Sequence, residues 1–426
     1  MVETMIWVYI VICLLLIFFQ IGFLIAMAIR AWRERFLVRK MRRDVIHQME
    51  LLSQNRAITE RHRAFLSEDL TQPVSLYRYE KALDSILAEV QDGTLALRDP
   101  DEITNVTIYI RHRAKNYDNE EQSRGRSKIF LRLRPKKELI RPLGRELAED
   151  YFTRYLRGVA PEIVSLTASY RKKDTIVHSF YVFLLKKYKF PSFVCTPELI
   201  ANLKDLIETG DSTSCEGVLL AVYTVGDPAL VSDFLELVDK QERFVHPKII
   251  SDGLLSYGGN PTDLHTRLLA DLNHFSPEMQ VNLLNYLRFR SGDCCEELLK
   301  ILADEKTHDE VRFCCIRYFG KYHYEPAYEL LAEFADGADR RRVEYAVVAL
   351  MALRNYPSDR TMQILYRYIH HPNWYVRYNA TESMEVLGVE YQDLVDIFDG
   401  QDRYAREMLQ YQFDQRYALE EEVSPR

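Results

Sequence analysis

Between Met5 and Ile29 the chain has no charged residue. The four residues before that run include no basic one, only Glu3. A secretory signal carries positive charge ahead of its apolar stretch and a small-residue cleavage site behind it. Here the order is reversed, because Arg30, Arg33, Arg35, Arg39, Lys40, Arg42 and Arg43 follow the run. The expectation is an uncleaved transmembrane helix over 5–29, long enough for about 30 Å of hydrocarbon. The positive-inside rule leaves residues 1–4 as a short extracytoplasmic N-terminus and the rest of the chain in the cytoplasm, a single-pass protein of the inner membrane. The seven basic residues are then candidate contacts for anionic headgroups. Gly22 and Ala26 are spaced as a small-xxx-small pair, a candidate packing face for another membrane helix.

Other absences narrow the chemistry. The seven cysteines form no C-x-x-C pair, so they read as reduced cytosolic thiols. There is no G-x-G-x-x-G, P-loop or G-x-S-x-G. No catalytic, cofactor-binding or metal-ligating residue is assigned on these grounds, and a non-enzyme is expected. Positive charge is scarce in the distal half. Residues 191–426 hold 23 basic and 40 acidic side chains, net −17 within a chain of −7. Residues 30–63 hold 10 basic and 4 acidic. Nucleic-acid binding rests on phosphate neutralisation, so the distal half is a poor candidate for it.

Beyond the span, apolar residues Phe36, Met41, Val45, Met49 and Leu52 recur near every 3.5 positions, which predicts a basic juxtamembrane helix over 30–66. A linker region over 67–145 follows. It holds a helix at Tyr77–Val90, stopped by Asp92-Gly93, and a small β-hairpin near 105–134. The hairpin rests on period-two alternation in 105–113 and 128–134, with Arg111, Arg113, Arg132 and Arg134 on one face. From 146 to 426 the pattern is helical.

Within 196–400 the helical pattern repeats. Val376-Arg377 is followed by Ala380 four residues on, then Ser383 and Met384. Val311-Arg312 is followed by Cys315, Tyr318, Phe319 and Gly320, and Ile249 by Gly253, Ser256 and Gly258. Ala346 and Ala349 keep the same register after Arg342, and Met279 and Cys215 head weaker copies. The leading positions lie 34, 30, 32, 31 and 34 residues apart. A second amphipathic segment precedes each of the last five, as at Leu298/Leu302 or Met362/Leu365/Ile369. Two helices per period of about 32 residues is the mark of an α-solenoid. Small residues four and seven places in let backbones approach, and the glycine nine places in is expected to end the helix with positive φ.

The pattern V-R-x-x-A-x-x-A-L-G resembles HEAT repeats, and its short period looks like the phycobilisome-lyase-like subclass. The resemblance covers about half the chain. It implies an all-α solenoid, a polar ladder joined by Arg312 and Arg377, and an interaction scaffold more often than an enzyme. HEAT-like deoxyhypusine hydroxylases hold iron with His-Glu dipeptides, and none of the eleven histidines here precedes a Glu. HEAT-like DNA glycosylases need a basic concave face, which this acidic region lacks.

The expected function is a membrane-anchored, non-catalytic scaffold or regulatory protein that holds a protein partner, a membrane or membrane-associated enzyme. Analogy with bacterial membrane systems of this design suggests an accessory role in envelope polysaccharide synthesis, beside a glycosyltransferase. The alternative is a small-ligand binder or lyase-like enzyme that uses the solenoid groove.

Overall fold

The computed structural model describes residues 2–97, 143–170, 175–210, 212–241, 245–337 and 343–412. The hairpin expected near 105–134 and Arg342 lie outside them. Among the described residues the chain is all-α, with short 3-10 turns and no strand. It divides into two compact units, Met1–Asp205 and Leu206–Arg426.

The first unit begins with α1, Val2–Ser53, an unbroken helix of 52 residues. An 18-residue window of it reaches a mean hydropathy of 2.3 with nothing buried. Among the described residues it is the one helix long and apolar enough to cross a membrane. The single helix expected over 30–66 is in fact two. Asn55 adopts φ 57°, a left-handed conformation that Asn tolerates better than most residues. The Arg56 N–H then folds back onto the Leu51 carbonyl at 2.9 Å, and the chain re-enters as α2, Glu60–Glu68.

Helix α3, Pro73–Gln91, opens with proline where no N–H is required and stops at Asp92, with Gly93 at φ 65°. Next come α4, Arg145–Tyr170, α5, Thr175–Lys187, and α6, Pro197–Thr209, whose last residues are counted with the second unit. The ends of the segment between α3 and α4 meet, since the Leu143 N–H donates to the Leu95 carbonyl at 2.8 Å. Helix α4 is the hub, touching α1, α2, α3 and α5. Ala148, Phe152, Tyr155, Val159 and Ile163 are all buried. Residues 146–205 fall in the first unit.

The core of this unit carries a line of polar groups. The Tyr155 hydroxyl lies 2.8 Å from His62 Nε2 and 2.9 Å from the Tyr79 hydroxyl, all three side chains being buried. Each group therefore has a partner, which a buried polar atom requires. Burial, the largest effect, drives the His62 pKa down to about 4; Asp44 and Glu162 oppose it and Arg63 adds to it.

The second unit is a succession of short helices. They are α7 (Ser212–Tyr223), α8 (Pro228–Lys240), α9 (Pro247–Ser251), α10 (Pro261–Ala270), α11 (Pro277–Arg290) and α12 (Cys295–Ala303). Then follow α13 (Asp309–Phe319), α14 (Tyr328–Asp336), α15 (Val343–Leu353), α16 (Asp359–Tyr368), α17 (Trp374–Val386) and α18 (Val395–Phe398). Starts are written in the sequence. Asp227, Asn260, Ser276, Ser358 and Asn373 each accept a first-turn N–H through the side chain. Packing alternates: α11, α13, α15 and α17 lie on one another in turn, while α12, α14 and α16 each pack on the helix that follows.

The leading residues Cys215, Met279, Val311 and Val376 are buried. At the 249 position Ile249 is half-buried, and Ile250 is the core residue of the five-residue α9. Ala346, Ala349, Ala380 and Cys315 are buried as the spacing predicts. Ser383, also buried, donates from α17 to the Leu350 carbonyl on α15, at 2.8 Å.

The glycine expectation is overturned. Gly320 ends α13 at φ −67°, and Gly258 is not among the positive-φ residues. A Cβ at 258 would stand 2.7 Å from the Thr224 carbonyl oxygen, and one at 320 would stand 3.1 Å from Ala352 Cα. These glycines serve close approach between neighbouring segments. The positive φ occurs three residues later in the motif, at Gly388.

Candidate partner-binding groove

The first turns of α9, α11 and α13 lie in sequence along one side of the second unit and line a groove of 730 Å³. Its floor is apolar and includes Val238, Ile250 and Met279, all buried. Its rim is acidic, with Asp239, Glu278 and Glu310.

Two capping arrangements fix this rim. Ser276 accepts the Met279 N–H through its hydroxyl at 3.3 Å. The Ser276 N–H and hydroxyl both donate to the Asp239 carboxylate, at 2.6 and 2.5 Å. Asp239 is thereby spent on pinning the end of α8 to the start of α11. At the next helix, His308 Nδ1 accepts the Glu310 N–H at 3.3 Å. Glu278 and Glu310 remain exposed, and neither has an ion-pair partner among the described residues. First-turn carboxylates sit at the positive ends of helix dipoles, which favours their charge. An apolar floor beside two unpaired carboxylates is suited to a segment that offers both an aliphatic and a cationic side chain. Among the described residues no cluster of three or more His, Cys, Asp or Glu is placed to hold a metal ion.

Met279, which heads one of the weaker repeat copies, lines this groove, whereas Arg312 and Arg377 do not. Arg312 is buried one residue beyond the rim helix's leading Val311. Its Nε donates to the Leu302 carbonyl at 3.0 Å, and a terminal nitrogen donates to the Tyr345 hydroxyl at 3.2 Å. Its guanidinium also stacks over Phe334, 4.9 Å from the ring centre. It thus ties α12, α13 and α15 together. Arg377 donates to the His371 and Pro372 carbonyls at 2.7 and 3.0 Å and lies over the Tyr404 ring. Its bonds stay within its own turn of chain. The groove had a legible signal: Ser-Pro-Glu at 276–278 and His-Asp-Glu at 308–310 put an N-cap and an acidic first turn one repeat apart.

In α1, Gly22 has open space around it and Ala26 is exposed. Arg30, Arg33, Arg35, Arg39, Lys40 and Arg43 are exposed too. Arg42 is the correction. It is half-buried and gives a two-pronged bond to Glu89 on α3, 2.6 Å to each oxygen, so it is committed to the fold rather than free for headgroups.

No protein-family model matches this chain, nor does any curated protein or solved structure.

Proposed function

We propose that the chain is a non-catalytic scaffold, anchored by α1 as a single transmembrane span, whose second unit is a HEAT-like solenoid that holds a protein partner. The alternating packing of α11–α17 and the repeat of about 32 residues support the solenoid. The apolar run of α1 and its basic flank support the anchor, with the second unit in the cytoplasm. The observation that carries the partner role is the groove, an apolar floor rimmed by Glu278 and Glu310. Its occupant on this reading is a basic, partly apolar segment of a membrane or membrane-associated enzyme. Charge complementarity favours that choice, since residues 191–426 carry −17.

The test is affinity purification of the full chain from solubilised membranes, beside a Glu278→Lys/Glu310→Lys double variant. Both side chains are exposed, so the variant is expected to keep its fold, checked by its thermal transition. A partner recovered with the native chain and lost from the variant supports the reading. Equal recovery by both removes the groove from the interaction. No partner with either chain overturns the scaffold role.

A further inference from the structure

Two ion pairs set the register of α1 against α3. Arg78 on α3 grips Glu34 with two bonds, 2.7 Å from Nε and 2.6 Å from a terminal nitrogen. Further along both helices, Arg42 grips Glu89. Residue numbers rise together across the pairs, so the helices run side by side in the same direction. The N-terminus of α3 therefore points toward the apolar end of α1. Val74 lies four residues before Arg78, about 6 Å nearer that end at 1.5 Å per residue. The matching level on α1 is Arg30–Arg33, directly after the last residue of the uncharged run.

The exposed face of α3 changes character along its length. In the first turns it offers Pro73, Val74 and Tyr77, with Val74 55 % and Tyr77 52 % exposed. From Lys81 onward the exposed positions are Lys81, Ala88 and Gln91. The opposite face, with Leu76, Tyr79, Leu83 and Ile86, is buried in the unit. On α1, Trp32 and Phe36 are exposed at the same level and stacked 6.0 Å apart. Lys81 Nζ lies 5.3 Å from the Tyr77 ring centre and 3.7 Å from a carboxylate oxygen of Glu80. The first turn of α3 holds no acidic residue and Gln72 makes no side-chain cap.

We infer that the first turns of α3 form a second membrane contact, in which Val74 and Tyr77 enter the headgroup region of the bilayer beside Trp32. Aromatic residues with a polar tip favour that zone. The occupant is lipid because the patch continues the belt at the end of the span. The inference rests on the reading of α1 as a membrane span. Two attachment points, one through α1 and one through α3, would hold the first unit at a fixed tilt on the bilayer.

Full-length single-tryptophan chains in phosphatidylcholine/phosphatidylglycerol nanodiscs test this. One retains Trp32 alone, one carries Tyr77→Trp alone, and one carries Leu147→Trp alone. Leu147 is exposed near the far end of α3, where Gly93 lies against Arg145. Fluorescence is quenched either by lipids brominated near the headgroup or by aqueous iodide. The expected result is lipid quenching at 77 comparable to Trp32, with protection from iodide, and the reverse at 147. Iodide access at 77 with Trp32 still quenched by lipid overturns the inference and leaves the span intact. Shielding of 77 from both quenchers means protein covers the patch, which also overturns it. Loss of lipid quenching at Trp32 itself refutes the membrane reading first.

Discussion

Lowering the pH should loosen the first unit through His62. The imidazole is buried against Tyr155, and its pKa falls from 6.5 to about 4 because burial disfavours the charged ring. The unfolded chain then binds the proton more tightly than the folded one. Stability is full above about pH 6.5 and is lost as pH drops toward about 4. A shift of that size corresponds to about 3 kcal/mol at 1.36 kcal/mol per unit. Against a typical stability of about 5–15 kcal/mol this is a large share. Between pH 7 and 4.5 about 2.4 kcal/mol of this is lost, and with a urea slope of about 2 kcal/mol/M the midpoint of the first unit falls by about 1.2 M. The assay is urea unfolding of the full chain in mild detergent, from pH 7 to 4.5, read by proteolysis within α4. His62→Gln keeps a hydrogen-bonding group near Tyr155 but cannot titrate. Its midpoint should therefore change much less over this range. Parallel lines for the native chain and the variant would refute the assignment of the acid sensitivity to His62.

The two glycine types predict different rescues. Gly258→Ala should cost the second unit about 1–3 kcal/mol, because its Cβ meets the Thr224 carbonyl oxygen, and no residue larger than glycine should restore it. Gly388→Ala should cost about 1 kcal/mol through its φ of +81° alone, and Gly388→Asn should recover most of that in a thermal melt. Arg312→Ala leaves the Leu302 carbonyl and Tyr345 hydroxyl without their donor. It should destabilise the second unit by about 2–4 kcal/mol in urea unfolding. Asp239→Ala removes the acceptor for both Ser276 donors, costing about 1–2 kcal/mol. It should also raise hydrogen exchange at the start of α11, and unchanged exchange would show that Asp239 does not anchor that helix.

Much of the second unit was legible because its helices state their own limits. Proline at the first position, a polar cap before it and a buried face of period 3.6 define α8, α10 and α11 locally. Small residues such as Ala349 and Ala380 mark close helix contact in the sequence itself. The role of Gly258 and Gly320 was not legible. A glycine past a helix reads the same whether it supplies φ above zero or clears space for a neighbour about 30 residues away. The break at Asn55 was equally hidden: the apolar spacing ends at Leu52, and no glycine or proline between there and residue 66 marks a stop.

The candidate groove belongs to the tertiary structure. Glu278 and Glu310 look like ordinary first-turn acids, and only the packing of α11 against α13 sets them on one rim. Arg42 shows the same limit, since a basic residue after an apolar run reads as a headgroup contact until α3 presents Glu89. Most helix starts, their apolar spacing and the uncharged run can be read from the residues alone, because these depend on neighbours within a few turns of chain. Which charges are spent and which face outward is settled in the folded chain. That choice depends on groups far apart in sequence meeting at hydrogen-bond distance, and no local pattern records where they meet.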